Sequence, residues 1–387
     1  VRVLVVSTVH HPEDARIHER QVAAMLGAGW EVTQAGAWSA HGLPVPVAAP
    51  ERPLTGIDLP HASGRRRLAA LRAALHVLRT EGPRHDAVVL HDPELLLLVP
   101  FSGVADRVVW DVHEDPAAAL PTRSYLPGPT GAWAARAVRW VERLAERHLT
   151  LLLAEHAYAD RFSRVHTVVP NTVPVPATEP PAPGTDRVVY LGNVTRLRGS
   201  DELVALGTGL RRATDGACTL HVIGPATGEC AATLAAAHRR GDLVHHGFVP
   251  NARAAAMLDG ALAGVSLLGD LPNFRHSMPT KVLEYMAHGL PVVTTPLPLA
   301  VKAVERAGCG AVVPFGPPGV ERALPTLLAW RQDPALRTRL GRAARREAVA
   351  EHSWAATAPV FLGALQDVAH GTPRPALSGA APRYRHR

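Results

Sequence analysis

The sequence predicts an α/β protein made of two doubly wound, parallel-sheet halves, and three observations predict it. Short runs of branched apolar residues, beginning with Val3-Leu-Val-Val6, recur along the chain, each followed by a polar loop and then by a helical stretch. The alternation pauses in a proline-rich stretch holding Pro170, Pro174, Pro176, Pro180, Pro181 and Pro183, and restarts at Val188. The chain has 387 residues, which at roughly 150 per domain sets a prior of two or three domains.

In the first half, strand Val3–Val6 leads into a helix over Ala15–Ala28 that stops at Gly29, and a second strand follows by Thr33. Gly64–Arg84 reads as a basic surface helix with Leu68, Leu71, Leu75 and Leu78 at core spacing and with Arg65, Arg72 and Arg79 sharing a face. Strands Ala87–Leu90 and Val108–Val112 each end in a histidine and acid cluster, His91-Asp92-Pro93-Glu94 and Asp111-Val112-His113-Glu114-Asp115. Open α/β sheets place ligands at such strand ends. In the second half the expected order is strand Val188–Leu191, helix Asp201–Arg212, strand Thr219–Ile223, helix Cys230–Arg239, strand Val244–His246, helix Ala252–Asp259 and strand Gly264–Leu268. A helix then precedes strand Val292–Thr295, one long helix runs from Leu324 to His352, and a last helix covers Ser353–Val368. The expected limits are therefore 1–169 for the first domain, 170–186 for a linker and 187–352 for the second domain. Residues 353–370 form a terminal helix free to return to the first domain, and 371–387 a disordered tail.

Composition removes several classes. With 47% hydrophobic and 19% charged residues the chain can bury a core without staples. Cys218, Cys230 and Cys309, separated by 12 and 79 positions, fit neither a zinc ribbon nor a redox pair, so a reducing compartment is expected. A net charge of +7 suits a phosphorylated or anionic substrate and falls short of a nucleic-acid binder. Apolar runs such as Leu95–Phe101 and Leu149–Ala154 stop far short of the ~20 residues that a membrane span needs. No apolar stretch of signal-peptide length precedes Ser7. The expected location is the cytoplasm, with peripheral contact to the inner membrane face through Arg65, Arg72 and Arg79 as the alternative. No Gly-x-Ser-x-Gly elbow, Walker loop or complete Gly-x-Gly-x-x-Gly occurs, and Gly207-Thr208-Gly209 falls in a helical region.

The segment from Phe274 to Pro291 carries the most chemistry. Ser277 is expected to cap a helix whose first turn holds Pro279, leaving backbone N–H groups aimed past the preceding strand as an anion site. Glu284, one to two turns in, suits two hydrogen bonds from a vicinal diol such as a ribose, although spacing alone favours a surface glutamate on an amphipathic helix. His10 and His11, adjacent and without a third spaced partner, read as loop residues rather than metal ligands.

Together these residues resemble the retaining family-four glycosyltransferases of the GT-B fold. The shared pattern is Ser277-x-Pro279-x-Lys281, then Glu284-Tyr-Met-Ala287, then Gly289-Leu-Pro-Val292. His91-Asp92-Pro93-Glu94, Asp111-x-His113-Glu114, Val169-Pro170-Asn171, Tyr190-Leu191-Gly192 and Arg198-Gly199 match further motifs in the same order. The resemblance implies two Rossmann-like domains facing a central cleft, the second binding a UDP- or GDP-linked sugar and the first an acceptor. By that resemblance Glu284 binds the ribose hydroxyls, Arg198 grips the diphosphate and His113 stands against the donor sugar. Asn193, Arg196, His276, Ser277, Met278, Pro279 and Lys281 complete the implied donor set. The implied acceptor side comprises His10, His11, Asp14, Arg16, His91, Asp92, His113 and Glu114.

Three departures stand out. Asn193 replaces the basic residue that commonly follows the strand's glycine, leaving Arg196 as its substitute. His276 stands where the first of two glutamates, eight apart, is usual. His10-His11-Pro12 replaces a glycine pair, which narrows the floor of the implied cleft.

The expected reaction is retaining transfer of a sugar to an acceptor nucleophile, without cofactor. The absence of any Asp-x-Asp argues for metal independence, with charge on the diphosphate neutralised by arginine, lysine and a helix N-terminus. A small specialised-metabolite acceptor is preferred to a lipid-linked or surface polysaccharide. An epimerase or phosphorylase on the same fold, and a non-catalytic sugar-nucleotide binder, are the rival readings.

Overall fold

The structure, a computed structural model, describes residues 1–113, 115, 117 and 129–372. Glu114 and the tail expected beyond residue 372 lie outside the described residues. The chain divides into two compact units, Val1–Asn171 together with the chain from Ala356 onward, and Thr172–Ala355.

The first unit is built on β1 (Arg2–Val6), β2 (Glu31–Gly36), β3 (Leu54–Asp58), β4 (Ala87–Leu90), β5 (Val108–Val112), β6 (Thr150–Leu153) and β7 (Thr167–Val168). They form one sheet in the order β3-β2-β1-β4-β5-β6-β7, every pair parallel. The second unit repeats the scheme with β8 (Arg187–Leu191), β9 (Thr219–Ile223), β10 (Leu243–Gly247), β11 (Ala263–Ser266), β12 (Val292–Thr294) and β13 (Gly310–Val312), ordered β10-β9-β8-β11-β12-β13. All of its pairs are parallel too. Helices cover both faces of such sheets, so central strands such as Ala87–Leu90 read as unbroken apolar runs and are wholly buried. In each unit the winding direction reverses beside the first strand, between β1 and β4 and between β8 and β11, which is where doubly wound folds open a ligand crevice.

The second crevice has a visible cause. β11 pairs with β8 only at Ala263↔Val188 and Gly264↔Val189, and beyond these the strands part. Tyr285 bridges the gap: its hydroxyl accepts from the Leu191 N–H at 2.8 Å and donates to the Val265 carbonyl at 3.1 Å. The ring needs the space over Gly264, where a Cβ would lie 2.1 Å from the Tyr285 Cγ.

Several elements differ from the sequence reading. The helix expected to run from Leu324 to His352 is two, Pro317–Gln332 and Pro334–Glu351, because Pro334 cannot continue a helix and Asp333 caps the second through the Leu336 N–H at 2.9 Å. Ser277 does not cap the helix Thr280–Ala287; its hydroxyl donates to the Asn273 carbonyl at 3.1 Å, and Pro279 stands at the cap with extended ψ. The core face of the helix Arg67–Thr80 is Ala70, Ala74, Val77 and Leu78, which leaves Leu68 exposed. The helix Pro129–His148 has no clean apolar stripe in the sequence: Glu142 and Glu146 share its buried face with Val141 and Ala145, while Trp133 and Trp140 are exposed. Those carboxylates are satisfied, Glu142 by Arg139 and Arg161, and Glu146 by the Ser163 and Arg164 N–H groups, the Ser163 hydroxyl and His166.

Gly264→Ala forces a methyl group into the Tyr285 ring and is expected to cost about 1–3 kcal/mol of stability. Urea unfolding measures this, and an unchanged midpoint contradicts the packing described for Tyr285.

Candidate functional site

In the second unit the loop leaving β8 at the crevice contains Gly192 and Gly199, both at positive φ. A Cβ on Gly199 would meet the Leu267 carbonyl oxygen at 2.4 Å, so only glycine brings this loop against the end of β11. The short turn Arg196–Arg198 sits between them, tied by the Gly269 N–H to the Leu197 carbonyl at 3.0 Å. Arg196 points away, pairing with Asp201 at 3.6 Å and Glu229 at 3.3 Å. Arg198 is half-buried and makes no ion pair or side-chain hydrogen bond among the described residues.

Lys281, on the first turn of the helix Thr280–Ala287, reaches the same place from the β11 side. Its Nζ lies 3.6 Å above the centre of the Tyr190 ring and 3.7 Å from where a Gly192 Cβ would be. It is buried and lacks a hydrogen-bond partner. Burial, reinforced by the charge of Arg198, pushes its pKa well below the ordinary lysine value, with Glu284 pulling the other way. Glu284 follows three residues later on the same helix and is half-buried. The arrangement offers an arginine and a buried amine short of acceptors beside a glycine turn, with a carboxylate one helical turn further on. A diphosphate and a diol are the complementary chemistry.

The corresponding loops of the first unit hold a different cluster. Asp92, buried at the end of β4, accepts from the Thr8 and Val9 N–H groups and from the hydroxyls of Ser7 and Thr8, fixing the loop that leaves β1. Asp111, inside β5, is held by Arg16 through two hydrogen bonds of 2.7 and 2.8 Å and by Gln21 at 3.0 Å. Arg16 also reaches Asn171 and the Val169 carbonyl, and so clamps β5 to the end of the unit. Burial pushes the Asp111 carboxyl up, but Arg16, with His113 and His91, outweighs it and holds the pKa well below the carboxylate range. Asp14 spends its carboxylate on the Arg16 and Ile17 N–H groups.

Three histidines stand over this base. His91 lies 3.3 Å and His113 3.4 Å from the Asp111 carboxylate, and His113 shares a hydrogen bond with His10 at 3.1 Å between their Nε2 atoms. Burial keeps His91 below its ordinary pKa. His11 turns aside and packs on His41, with ring centres 4.5 Å apart. His91, Asp111 and His113 offer ligand atoms within 4.8 Å of one another, but Asp111 is already neutralised by the Arg16 guanidinium, which makes the group an ion-paired cradle rather than a strong cation site.

The structure thus gathers Arg198, Lys281 and the strand-end glycine in one place, with Glu284 on the helix that carries the lysine. It also gathers His10, His91 and His113 in another, over the buried supports Arg16 and Asp92. Asn193 is exposed, and its carbonyl accepts from the Tyr190 hydroxyl at 2.9 Å. His276 is exposed, while Met278 packs against the core of the second unit. Two residues that organise these clusters were absent from the candidate set. Asp111 had a readable signal, since an acid inside the apolar run Val108–Val112 demands a buried partner. Tyr190 stands in the Tyr190-Leu191-Gly192 match, but nothing in that match shows that its ring lies beneath Lys281.

Replacing Arg16 by Met leaves Asp111 buried without its cation and is expected to cost about 3–5 kcal/mol near neutral pH. The wild-type pair stabilises the fold above the unfolded carboxylate pKa and is lost as pH falls through the depressed folded value. The variant's carboxyl can instead take up a proton, so the difference between the two proteins should shrink on acidification. Unfolding curves across pH check this, and a constant difference contradicts it.

Residues 185–329 match the family described as "Glycosyl transferases group 1". No curated protein matches the chain. Among solved structures, a sucrose-phosphate synthase from Thermosynechococcus elongatus is similar at TM-score 0.69 and 17% identity over 96% of this chain and 100% of that one. The Anabaena protein Alr3699/HepE, solved in complex with UDP and glucose, is similar at TM-score 0.66 and 12% identity over 95% and 99%. WaaG, a glycosyltransferase involved in lipopolysaccharide biosynthesis, is similar at TM-score 0.64 and 14% identity over 96% and 100%. Among the described residues no helix is long and apolar enough to cross a membrane. The chain therefore has the two-domain GT-B fold of these proteins, and its second unit carries the sequence pattern of glycosyl transferases group 1.

Proposed function

We propose that the protein is a retaining, metal-independent glycosyltransferase that takes a sugar from a nucleoside-diphosphate sugar and passes it to an acceptor hydroxyl. The observation that carries this reading is the pair Arg198 and Lys281: two basic side chains brought together at the β8 crevice with no acceptor of their own. In this reading the diphosphate supplies the acceptors, and Glu284 receives the ribose hydroxyls. The bond from the anomeric carbon to the phosphate oxygen breaks on the face where the acceptor oxygen bonds, and a departing phosphate oxygen takes the acceptor's proton. Arg198 and Lys281 stabilise the charge that grows on the leaving diphosphate. The histidine cluster around His113 is the proposed acceptor side, and UDP the proposed nucleotide, by analogy with HepE.

The acceptor can be a small specialised metabolite on this chemistry alone. The first unit's basic, tryptophan-bearing surface favours a lipid-linked or surface glycan.

Glu284→Ala should weaken UDP-sugar binding more than tenfold with the fold intact, a charge-assisted bond being worth about 1.5–3 kcal/mol. Arg198→Ala should depress turnover more than binding, and a chelator should leave activity unchanged. Calorimetry and product assays measure these, and unchanged UDP affinity in Glu284→Ala overturns the donor assignment. Because burial favours the neutral Lys281 amine and a diphosphate the charged one, UDP binding at mildly alkaline pH should take up protons. Titration in buffers of different ionisation enthalpy reads that uptake, and Lys281→Met should abolish it.

A further inference from the structure

The helix Pro129–His148 presents an inverted pattern, with its acids inside and its aromatics outside. Trp133, Arg136, Ala137, Trp140, Arg143, Leu144 and Arg147 recur at helical spacing and are all exposed, the two indoles by 67% and 64%. Glu142 and Glu146, on the opposite side, are buried in the bonds described above. Arg136 sits 5.4 Å from the centre of the Trp133 ring, so part of its cation already rests on an aromatic face.

The surface extends beyond this helix. The chain returns from β3 to β4, from β4 to β5 and from β5 to β6 in one direction across the sheet, which puts the three connections on the same side. These connections include the helix Arg67–Thr80, the turns Pro93–Phe101 and the helix Pro129–His148, and each touches the next. Leu68, Leu97 and Phe101 on the first two are exposed as well, and Arg65, Arg66 and Arg72 add charge. The acids on these three segments are Glu94, which pairs with Arg67, and the buried Glu142 and Glu146.

We infer that this face of the first unit docks on an anionic lipid bilayer, with Trp133 and Trp140 entering the headgroup boundary and Arg136, Arg143 and Arg147 meeting lipid phosphates. Tryptophan among arginines is the composition that suits a water–lipid boundary, where one part of the surface becomes apolar and the other stays wet. A second copy fits less well, because a symmetric pairing would set this arginine row against itself. The helix stripe is also not the arginine row of the helix Arg67–Thr80 that the sequence suggested; Arg79 there is spent on the Phe101 carbonyl at 2.8 Å.

Cosedimentation of the full chain with vesicles tests the inference independently of the transferase reading, which UDP-sugar hydrolysis without vesicles reports separately. Binding is expected to phosphatidylcholine vesicles containing phosphatidylglycerol, not to phosphatidylcholine alone, and to weaken with salt. Substituting Arg136→Gln, Arg143→Gln and Arg147→Gln together should weaken it on the order of 100-fold, while the matching Arg→Lys variant should retain it. The emission of Trp133 and Trp140 should shift to the blue on binding and be quenched by brominated lipids, signals lost in the Trp133→Ala, Trp140→Ala double variant. Three results overturn the inference: no binding to anionic vesicles at low salt, binding unaffected by the glutamine or alanine variants, or self-association in solution that those variants abolish. The quenching experiment uses the unaltered protein and decides the matter even where a variant fails to fold.

Discussion

Within each sheet every strand runs parallel to its neighbours, and the rest of the structure depends on that constraint. Parallel strands must be joined by crossovers, so all strand-to-helix loops leave from one end of each sheet and both faces are covered. The reversal of winding beside β1 and β8 then separates two neighbouring loops and opens a crevice between them. The second unit shows the local physics. Once β8 and β11 part, the Leu191 N–H needs an acceptor, and the Tyr285 hydroxyl supplies it. That bridge fixes the helix bearing Lys281 and Glu284 against the loop bearing Arg198.

The two units spend their buried charge in opposite ways. In the first, Arg16 and Asp111 neutralise each other and Asp92 is saturated by backbone donors, so the histidines stand on a base that is already satisfied. In the second, Arg198 is unpaired among the described residues, and the Lys281 amine has a ring beneath it and no acceptor. A satisfied cluster holds its geometry, whereas an unsatisfied one favours any ligand that completes it. The proposed donor site rests on this contrast.

Much of the fold was readable because parallel strands are short apolar runs with clear punctuation; Ala87–Leu90, Val108–Val112 and Thr219–Ile223 have the ends their sequences suggest. The unread parts share a physical reason. β3 and β13 are short edge strands with no run of branched residues, and the split at Asp333-Pro334 lies inside an apparently continuous amphipathic pattern. The helix Pro129–His148 blurs a pattern argument, since Glu142 and Glu146 share its buried face with Val141 and Ala145 while its tryptophans are exposed. At the site, the Lys281 and Glu284 spacing is visible in the sequence, while the pairing of Arg196 with Asp201 and Glu229 and the partnership of Lys281 with Tyr190 depend on side-chain directions that spacing does not carry.

The central claim is that the crevice at the end of β8 is an incomplete electrostatic site that a diphosphate completes. A crystal structure of the protein with UDP tests it most directly. The account predicts phosphate oxygens within hydrogen-bond distance of Arg198 and of the Lys281 Nζ, with the ribose hydroxyls on Glu284. A diphosphate bound elsewhere, with Arg198 and Lys281 still without acceptors, would contradict it.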